Sequence, residues 1–285
     1  MSIATHVNPS GGADVDSPVA RSRDMKDYHE RFANYYDLFY ESRDIAGEVK
    51  QAIELIAPGT DGNRRGLRVF DFGCGTGSHA VEFAGHGFDV VGYDIAEAML
   101  AKARSKCATL DHPPQFVGGD INGVIERFGG ESFDCIVSFF NVLNCIPSVP
   151  EIARHLAALR TLLKIGGRGL LAVWNGAASL ADQPHPQVRR WTDPADRDRE
   201  IIRFMVPELD RINQVCRLNY QVLTINRRTG AFEEFQSEHD IHLLTPVHYR
   251  HLLATSGFQV LREFPQGRSD DPLTTDDWFA TYLVQ

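Results

Sequence analysis

Short apolar runs alternate with longer stretches of helical spacing through the middle of the chain. In order, with one further helix predicted after Thr76, they are LRVFDFG, FDVVGYD, IAEAMLAKARSKCATL, PQFVGGD, INGVIERF, FDCIVSFF, VPEIARHLAALRTLLK and RGLLAVWN. Unbroken apolar runs of this length are typical of strands that are buried on both faces. Helices between such strands make neighbouring strands parallel, so the pattern predicts a doubly wound α/β sheet with right-handed crossovers.

The region before the first strand has a different pattern. KDYHERFANYYDLFYESRD spaces its aromatic residues at helical intervals, and IAGEVKQAIELIA repeats apolar residues at that spacing until Pro58 and Gly59. Residues 25–66 are therefore predicted to form an N-terminal helical cap of two amphipathic helices. Residues 1–24 are rich in Gly, Pro, Ser and Asp, which predicts a disordered leader.

The pattern changes again after the fifth strand of the core, which spans residues 67–175. A turn-rich polar loop, GAASLADQPHPQVRRWTDPADRD, precedes three strand-like stretches in REIIRFMVPEL, INQVCRLNYQVLTINRR and AFEEFQSEHDIHLLT. We interpret residues 176–245 as an antiparallel β insertion that acts as a lid, a homodimer surface or both. Residues 246–285 then supply a helix and two strands that complete a seven-stranded, mostly parallel sheet.

Composition narrows the class of partner. The chain has 29 Lys and Arg against 38 Asp and Glu, a net charge of −9, which argues against a nucleic-acid polymer or an anionic membrane as partner. The five cysteines form no C-x-x-C pair and are odd in number, so no disulfide framework and no metal site is predicted. With no secretory signal and no apolar run long enough to span a bilayer, the sequence predicts a cytoplasmic protein that acts on a small molecule.

The stretch VFDFGCGTGSHA places Gly73, Gly75 and Gly77 between a strand and a helix. Such a loop lets a ligand approach bare backbone, beside helix N–H groups that favour a carboxylate or phosphate. A dinucleotide site would favour glycine or alanine at Ser78. Asp71, just ahead of the loop, favours a cationic amine and repels a pyrophosphate, which points to S-adenosylmethionine.

Two further acids follow the next strands. Asp94 ends the second strand, where an acid can accept hydrogen bonds from both ribose hydroxyls, a device that nicotinamide sites share. Asp120 follows the third strand, where it can accept from the adenine amino group while Ile121 covers the ring. Each acid alone is more often a helix cap or a loop residue, but three at successive strand ends predict a ligand site.

VFDFGCGTG, GYDIAEAMLAKAR, GGDI and FDCIVSFFNVLNCI together resemble the successive motifs of class I S-adenosylmethionine-dependent methyltransferases. The resemblance implies a Rossmann-like fold and S-adenosyl-L-methionine as cofactor. The residues that it places at the cofactor are Tyr36, Asp71, Gly73, Cys74, Gly75, Gly77, Asp94, Ile95, Met99, Asp120, Ile121, Ser138 and Phe139.

A second, looser similarity involves YYDLFYESRDIAGEVKQAIELI and HDIHLLTPVHYRHLLATSGF. Both are similar to stretches of the N-methyltransferases that dimethylate nucleotide-linked amino sugars. This similarity implies N-methylation of an amine, with Tyr36 and Tyr40 closing over the methionine end of the cofactor. An O-methyltransferase is the nearest alternative. An NAD-dependent oxidoreductase and a non-catalytic nucleotide-binding module are alternatives of another class.

The candidates for a catalytic role are Tyr36, Asn144, Trp174 and His239. The resembling amino-sugar enzymes can carry a histidine after the fourth strand, where this chain has Asn144 and Cys145, and an amine acceptor tolerates that difference better than an alcohol. Trp174 is expected to form one wall of the acceptor pocket. A buried structural role is an equal alternative for Trp174.

Other polar residues are weaker candidates. His239 is expected to reach the cleft from the lid, as are His185 and His242, with an exposed or structural role as the alternative for each. His79 is expected on a helix surface. A cluster in the polar loop favours a nucleotide-sugar diphosphate, unless it is only a solvated group of charges; it consists of Arg189, Arg190 and Trp191.

Overall fold

A computed structural model describes residues 31–60 and 64–285. The predicted leader, residues 1–24, lies outside the described residues. The chain is helical over residues 31–39, here α1, and again over α2, Ile45–Ile56. The Asp44 carboxylate accepts a hydrogen bond from the Gly47 amide and caps α2. Both helices of the predicted cap are therefore present.

Eleven strands follow in the described part of the chain. They are β1 (Arg68–Phe72), β2 (Asp89–Tyr93), β3 (Gln115–Val117), β4 (Phe133–Ser138), β5 (Leu163–Trp174), β6 (Gln187–Thr192), β7 (Arg199–Asp210), β8 (Val215–Asn226), β9 (Phe232–His242), β10 (Val260–Pro265) and β11 (Phe279–Val284).

The central sheet has seven strands in the order β10-β11-β5-β4-β1-β2-β3. Strands β1 to β5 are parallel, and β11 runs antiparallel to both β5 and β10. The seven-stranded, mostly parallel sheet predicted from the sequence is confirmed. Its order reverses at β1, between β2 and β4, and doubly wound sheets bind ligands at such a point.

Six further helices connect these strands. They are α3 (Ser78–Gly85), α4 (Glu97–Lys106), α5 (Ile121–Phe128), α6 (Val149–Leu162), α7 (Gly176–Ala181) and α8 (Pro246–Thr255), with a 3-10 helix at Val142–Cys145.

The central sheet is buried on both faces. Phe70 packs in a cluster with Leu156 of α6 and Tyr249 of α8, whereas Val69 packs in a second cluster with Val49 of α2. Because side chains alternate along a strand, consecutive residues of β1 enter opposite layers. Full burial of each such side chain is worth about 1.5–3 kcal/mol, which holds the carboxyl end of β1 in a fixed place.

The insertion differs from the prediction. It is a four-stranded antiparallel sheet in the order β6-β7-β8-β9, whereas the sequence predicted about three strands and left β6 in a polar loop. β6 is an edge strand whose residues are mostly exposed, so it lacks the apolar alternation that marks the other three. The same predicted loop also contains α7.

One face of the inserted sheet covers the N-terminal helix. Ile201 of β7 and Val222 of β8 pack in one buried cluster with Phe32 and Phe39 of α1. Met99 of α4 belongs to the same cluster. The insertion, α1 and the α4 side of the core are therefore joined through one apolar layer.

Candidate active site

A cleft of about 330 Å³ opens at the carboxyl end of β1, with α1 along one side. It contains side chains from the cap, the glycine loop and the segment after β4. Its lining residues are Tyr36, Asp37, Tyr40, Glu41, Arg43, Ile45, Asp71, Gly73, Cys74, Thr76, Ser78, His79, Lys106, Phe139 and Phe140. Five of the predicted cofactor residues lie here: Tyr36, Asp71, Gly73, Cys74 and Phe139.

The glycine loop turns sharply under the cleft. Gly73, Gly75 and Gly77 have φ of 77°, 54° and 78°, in the left-handed region that L-residues with a side chain rarely adopt. A Cβ at Gly73 would also lie 2.3 Å from a methyl carbon of Val142. The loop sequence therefore serves both the turn and the close approach of the 3-10 helix after β4.

Asp71 lies at the floor of the cleft with a carboxylate that is almost completely buried. Its Oδ2 has no hydrogen-bond partner among the described residues. Burial, and secondarily the charge of Asp94, raises the pKa of Asp71 to about 7. A buried carboxylate without a partner is costly, and a ligand cation would both pair with it and favour its ionised form.

The Asp94 carboxylate forms hydrogen bonds that stabilise the glycine loop. One of its carboxylate oxygens accepts from the Gly75 amide at 2.9 Å, and the other accepts from the Ala96 amide at 2.9 Å. The acid after β2 thereby ties the glycine loop to the start of α4. Ile95, next to it, is 78% exposed and leaves an apolar surface for a ligand.

The third acid has a structural role here. Asp120 caps α5, where its carboxylate accepts from the Asn122 amide at 2.8 Å, and it lies 3.5 Å from the Arg154 guanidinium. The neighbouring Ile121 is fully buried in the core, so the expectation that it covers an adenine ring finds no exposed side chain there. Ile95, and not Ile121, is the exposed apolar side chain near the ends of β2 and β3 that could contact a base.

Arg43, which no sequence pattern indicated, also lines the cleft. Its Nε donates to Glu48 at 2.9 Å, and its guanidinium lies 3.4 Å from the centroid of the Phe140 ring. The second terminal nitrogen, Nη2, is buried without a hydrogen-bond partner among the described residues. Lone arginines at helix ends are common, so no spacing signal distinguishes this one.

The end of β4 and the segment after it add two more buried polar atoms. Oγ of Ser138 and Oδ1 of Asn141 have no hydrogen-bond partner in the described part of the chain. Phe140 and Asn141 both adopt left-handed φ, at 60° and 59°. Two consecutive non-glycine residues in this region store strain, which is typical of functional sites.

His79 was expected on a helix surface, and this was wrong. The side chain is buried, its ring stacks on Phe139 with centroids 4.3 Å apart, and its Nε2 lies 2.8 Å from Glu48. Burial lowers the pKa of His79 despite the opposing effect of Glu48. Burial opposes ionisation of Glu48, but hydrogen bonds from His79 and Arg43 together lower the pKa of Glu48. The sequence around His79, a polar residue in the first turn of α3, does not predict its contact with Glu48, which lies 31 positions earlier.

Aromatic side chains from α1 and the turn after it line the cleft. Tyr36 contacts Tyr40 at 4.9 Å between ring centroids, and Tyr40 contacts Phe140 at the same separation. Burial raises the pKa of Tyr36 well above its usual value, so its hydroxyl stays protonated and can donate a hydrogen bond. Tyr36 and Tyr40 therefore both line the cleft, and their closure over a cofactor stays a prediction.

A polar network that the sequence did not predict ties α1 to the glycine loop. The Thr76 hydroxyl donates to Asp37 at 2.5 Å, and Lys106 donates to Asp37, Thr76 and Ser78 at 2.8–3.2 Å. These four residues come from α1, the loop, α3 and α4. Their contacts span up to 69 positions, which no local sequence pattern reveals.

Asn144, a catalytic candidate, has both of its polar groups engaged by backbone. Its amide nitrogen donates to the His242 carbonyl at 2.7 Å, and its oxygen accepts from the Trp174 amide at 2.9 Å. The side chain is fully buried and joins the 3-10 helix to β5 and β9. This arrangement favours a structural role.

The other two catalytic candidates lie outside the cleft lining. Trp174 packs edge-on against Trp278 at 6.1 Å between ring centroids, and His239 lies 5.6 Å from the ring of Tyr220. Trp174 and His239 therefore each pack against another aromatic ring. Neither is brought beside Asp71 or the glycine loop.

The proposed charge cluster lies in strand β6 and does not form a loop. Arg190 pairs with Glu200 at 2.8 Å, and Trp191 packs against Phe39 at 4.9 Å between ring centroids. Arg189 remains exposed on the same strand. Backbone pairing with β7 holds this stretch extended.

Comparisons with known proteins agree with this geometry. Residues 69–167 match the family described as "Methyltransferase domain". A Geobacillus protein named as a candidate methyltransferase is 34% identical over 49% of this chain and 54% of its own length. The ubiquinone biosynthesis O-methyltransferase of Ruegeria pomeroyi is 28% identical over 72% of this chain and 81% of its own length.

A similar fold is found in the sugar N-methyltransferase KedS8 of Streptoalloteichus. It superposes with a TM-score of 0.65 at 20% identity, covering 99% of this chain and 98% of that one. The chain spans about half the length of the first curated relative that it matches. Residues 69–167 match a methyltransferase domain, and this match and the fold support S-adenosyl-L-methionine as the cofactor.

The described part of the chain has neither a membrane-spanning helix nor a metal-binding cluster. Among residues 31–60 and 64–285, no helix has the length and apolarity needed to cross a bilayer. In the same ranges, no group of three or more His, Cys, Asp or Glu side chains is arranged to hold a metal ion.

Proposed function

We propose that this chain transfers a methyl group from S-adenosyl-L-methionine to a small-molecule acceptor. The observation that carries the proposal is a pair of buried, unpartnered atoms in one cleft, Oδ2 of Asp71 and Nη2 of Arg43. Asp71 offers an acceptor for a cationic amine, and Arg43 offers a donor for a carboxylate. An amino-acid tail has these two groups on one carbon, whereas a pyrophosphate would meet the Asp71 charge.

The remaining cofactor contacts are assigned by position in the fold. Asp94 would receive the ribose hydroxyls at the end of β2, and the exposed side chain of Ile95 would lie along the base. Asp120, after β3, would accept from the adenine amino group through a carboxylate that also caps α5 and lies near Arg154. Tyr36 and Tyr40 would cover the tail and exclude water from it.

When bound, the cofactor supplies an activated sulfonium methyl group, so the chain's main task is to align the acceptor with it. We favour an amine acceptor, such as a nucleotide-linked amino sugar. Asn144 is engaged by backbone and His239 packs beside Tyr220, so neither is presented as a base. A neutral amine needs no base before attack. KedS8, a protein with a similar fold, is named as a sugar N-methyltransferase.

O-methylation is a second candidate because one base does line the cleft. The pKa of His79 is lowered by burial, which keeps its imidazole neutral, and Glu48 at 2.8 Å orients the ring. A neutral imidazole in that setting can accept a proton from a hydroxyl. The Ruegeria relative is named as an O-methyltransferase.

Mass spectrometry with deuterated methyl donor separates these possibilities. The protein is incubated with a panel of nucleotide-linked amino sugars and a panel of phenols, and products are mapped for label on nitrogen or oxygen. We expect label on an amine nitrogen, and we expect Asp71→Asn to abolish it while Asp89→Asn, at the exposed start of β2, retains it.

Each other outcome has a defined meaning. Label on oxygen alone would establish the second candidate, and His79→Gln should then remove it. Binding of S-adenosyl-L-homocysteine without label in either panel would contradict small-molecule catalysis. Tight binding of NAD with no affinity for S-adenosyl-L-homocysteine would overturn the cofactor assignment.

A further inference from the structure

Arg203 is a buried arginine in the middle of the inserted sheet. It lies on β7 and is only 6% exposed. Its Nη1 is buried without a hydrogen-bond partner, and no carboxylate within residues 31–60 or 64–285 forms an ion pair with it. Arginine is almost never fully buried unless it is paired, so this guanidinium needs an explanation.

The guanidinium lies among four aromatic rings. Its central carbon is 4.7 Å from the ring centroid of Phe39, 5.3 Å from Trp191, 5.5 Å from Tyr220 and 5.7 Å from Tyr40. Ring faces attract the positive charge. They do not replace the in-plane hydrogen bonds that a guanidinium donates from its edge, and that edge matches an oxyanion in a bidentate pair.

No nearby acid of the inserted sheet compensates this charge. Glu200, three residues earlier on β7, projects from the opposite face and is engaged by Arg190 and Arg227 at 2.8 and 3.0 Å. The face that carries Arg203 instead holds a second buried, unpartnered group, the hydroxyl of Ser237 on β9. A hydroxyl can donate to an oxyanion as the guanidinium does.

The ring of Tyr40 lies between Arg203 and the cleft described above. Tyr40 lines the cleft, contacts Phe140 on one side and contacts the Arg203 guanidinium on the other. A ligand that reaches from the cleft past Tyr40 would therefore bring its far end to the inserted sheet. Because Arg203 is buried, α1 and the inserted sheet must separate to admit it.

We propose that Arg203 is the anchor for an oxyanion, a phosphate or a carboxylate, carried by the methyl acceptor. The identity of that ligand as an acceptor rests on the function proposed above. The anion would occupy the in-plane edge at Nη1, and the aromatic rings would hold the guanidinium in its orientation. Arg203 is thus a specificity-determining residue for an anionic acceptor.

Thermal unfolding of the full chain, saturated with S-adenosyl-L-homocysteine, tests the site with simple probes. Sodium phosphate and sodium acetate are compared with sodium chloride at equal ionic strength. At about ten times its dissociation constant a bound anion should raise Tm by roughly 2–4 °C. We expect this rise with phosphate, acetate or both in the native chain, its loss in Arg203→Met, and its retention in Arg217→Met.

Arg217 is a matched control because it lies on β8 of the same sheet but pairs with Asp240 on the outer face. A native chain that responds to phosphate and acetate only as to chloride would overturn the proposal. So would an unchanged rise in Arg203→Met. If Arg203→Met does not fold, Arg203→Lys takes its place, since it keeps the charge and loses the bidentate edge. The increase in Tm that the anion causes in Arg203→Lys should be at most half of that in the native chain. An equal increase would overturn the proposal.

Calorimetry of the same samples separates this inference from the proposed function. If the chain does not bind S-adenosyl-L-homocysteine but anions still raise Tm in an Arg203-dependent way without it, the cofactor assignment is refuted and the anion site is supported. Normal binding of S-adenosyl-L-homocysteine with no oxyanion-specific rise would refute only the role of Arg203.

Discussion

Asp71 in β1 and Asp94 directly after β2 lie at the carboxyl ends of adjacent strands, and the charge of Asp94 adds to burial in raising the pKa of Asp71 to about 7. In the proposed function, an amino group of the ligand pairs with the ionised form of Asp71. Affinity for S-adenosyl-L-homocysteine should therefore rise as pH increases from 5 to 7, approaching tenfold per pH unit well below the pKa. Isothermal titration across this range measures it.

The matched variant for this prediction is Asp71→Asn. Its affinity should be lower at pH 7 and should stay nearly constant between pH 5 and 7, because the amide does not titrate. A native chain whose affinity is flat over this range would show that the ligand amine does not pair with Asp71.

Asp94→Ala should weaken binding of S-adenosyl-L-homocysteine by about 1.5–3 kcal/mol, the scale of hydrogen bonds to a charged group. The variant also loses the bonds from the Gly75 and Ala96 amides, so a lower Tm should accompany the loss. Asp89→Ala, at the opposite and exposed end of β2, is the control and should bind normally. Equal dissociation constants for native chain and Asp94→Ala would exclude Asp94 from the site.

Gly73→Ala should destabilise the chain through two separable effects. The left-handed φ of 77° costs about 1–2 kcal/mol for a residue with a Cβ, and overlap with Val142 at 2.3 Å adds about 1–3 kcal/mol. Urea unfolding gives the free energy of unfolding of Gly73→Ala and of the double variant Gly73→Ala with Val142→Ala, and the difference separates the two effects.

Removing the Val142 methyl groups should restore most of the part due to overlap, because the Val142 Cβ still lies 2.9 Å from the new Cβ. Gly119→Ala has a φ of 95° and no atom within 4 Å of its new Cβ, so it reports the backbone cost alone. Equal losses of stability in Gly73→Ala and Gly119→Ala would mean that the 3-10 helix moves aside without cost.

Asn144→Ala should lower the free energy of unfolding by about 1–3 kcal/mol for each backbone group left unsatisfied, namely the Trp174 amide and the His242 carbonyl. Chemical denaturation measures this loss, and Asn219→Ala, on the exposed face of β8, is the control. Loss of methyl transfer with unchanged stability would return Asn144 to the catalytic candidates.

Much of the core was predictable because its signals are local. The alternation of apolar runs and helical stretches predicted the parallel strands, and the glycine spacing after Asp71 predicted the tight loop between β1 and α3. The edge strand β6 was missed for a physical reason: with both faces largely in solvent it needs no apolar alternation, and its pairing with β7 depends on backbone hydrogen bonds.

The sequence by itself determined the sheet, the glycine loop and the placement of Asp71 and Asp94 at strand ends, because strand and turn preferences act over a few residues. Only the tertiary structure decided that His79 meets Glu48, that Arg43 faces the cleft and that Arg203 is buried among aromatic rings. These contacts join separate elements across the fold. Their burial and missing partners, which determine what they can bind, exist only after the cap, core and insertion have packed together.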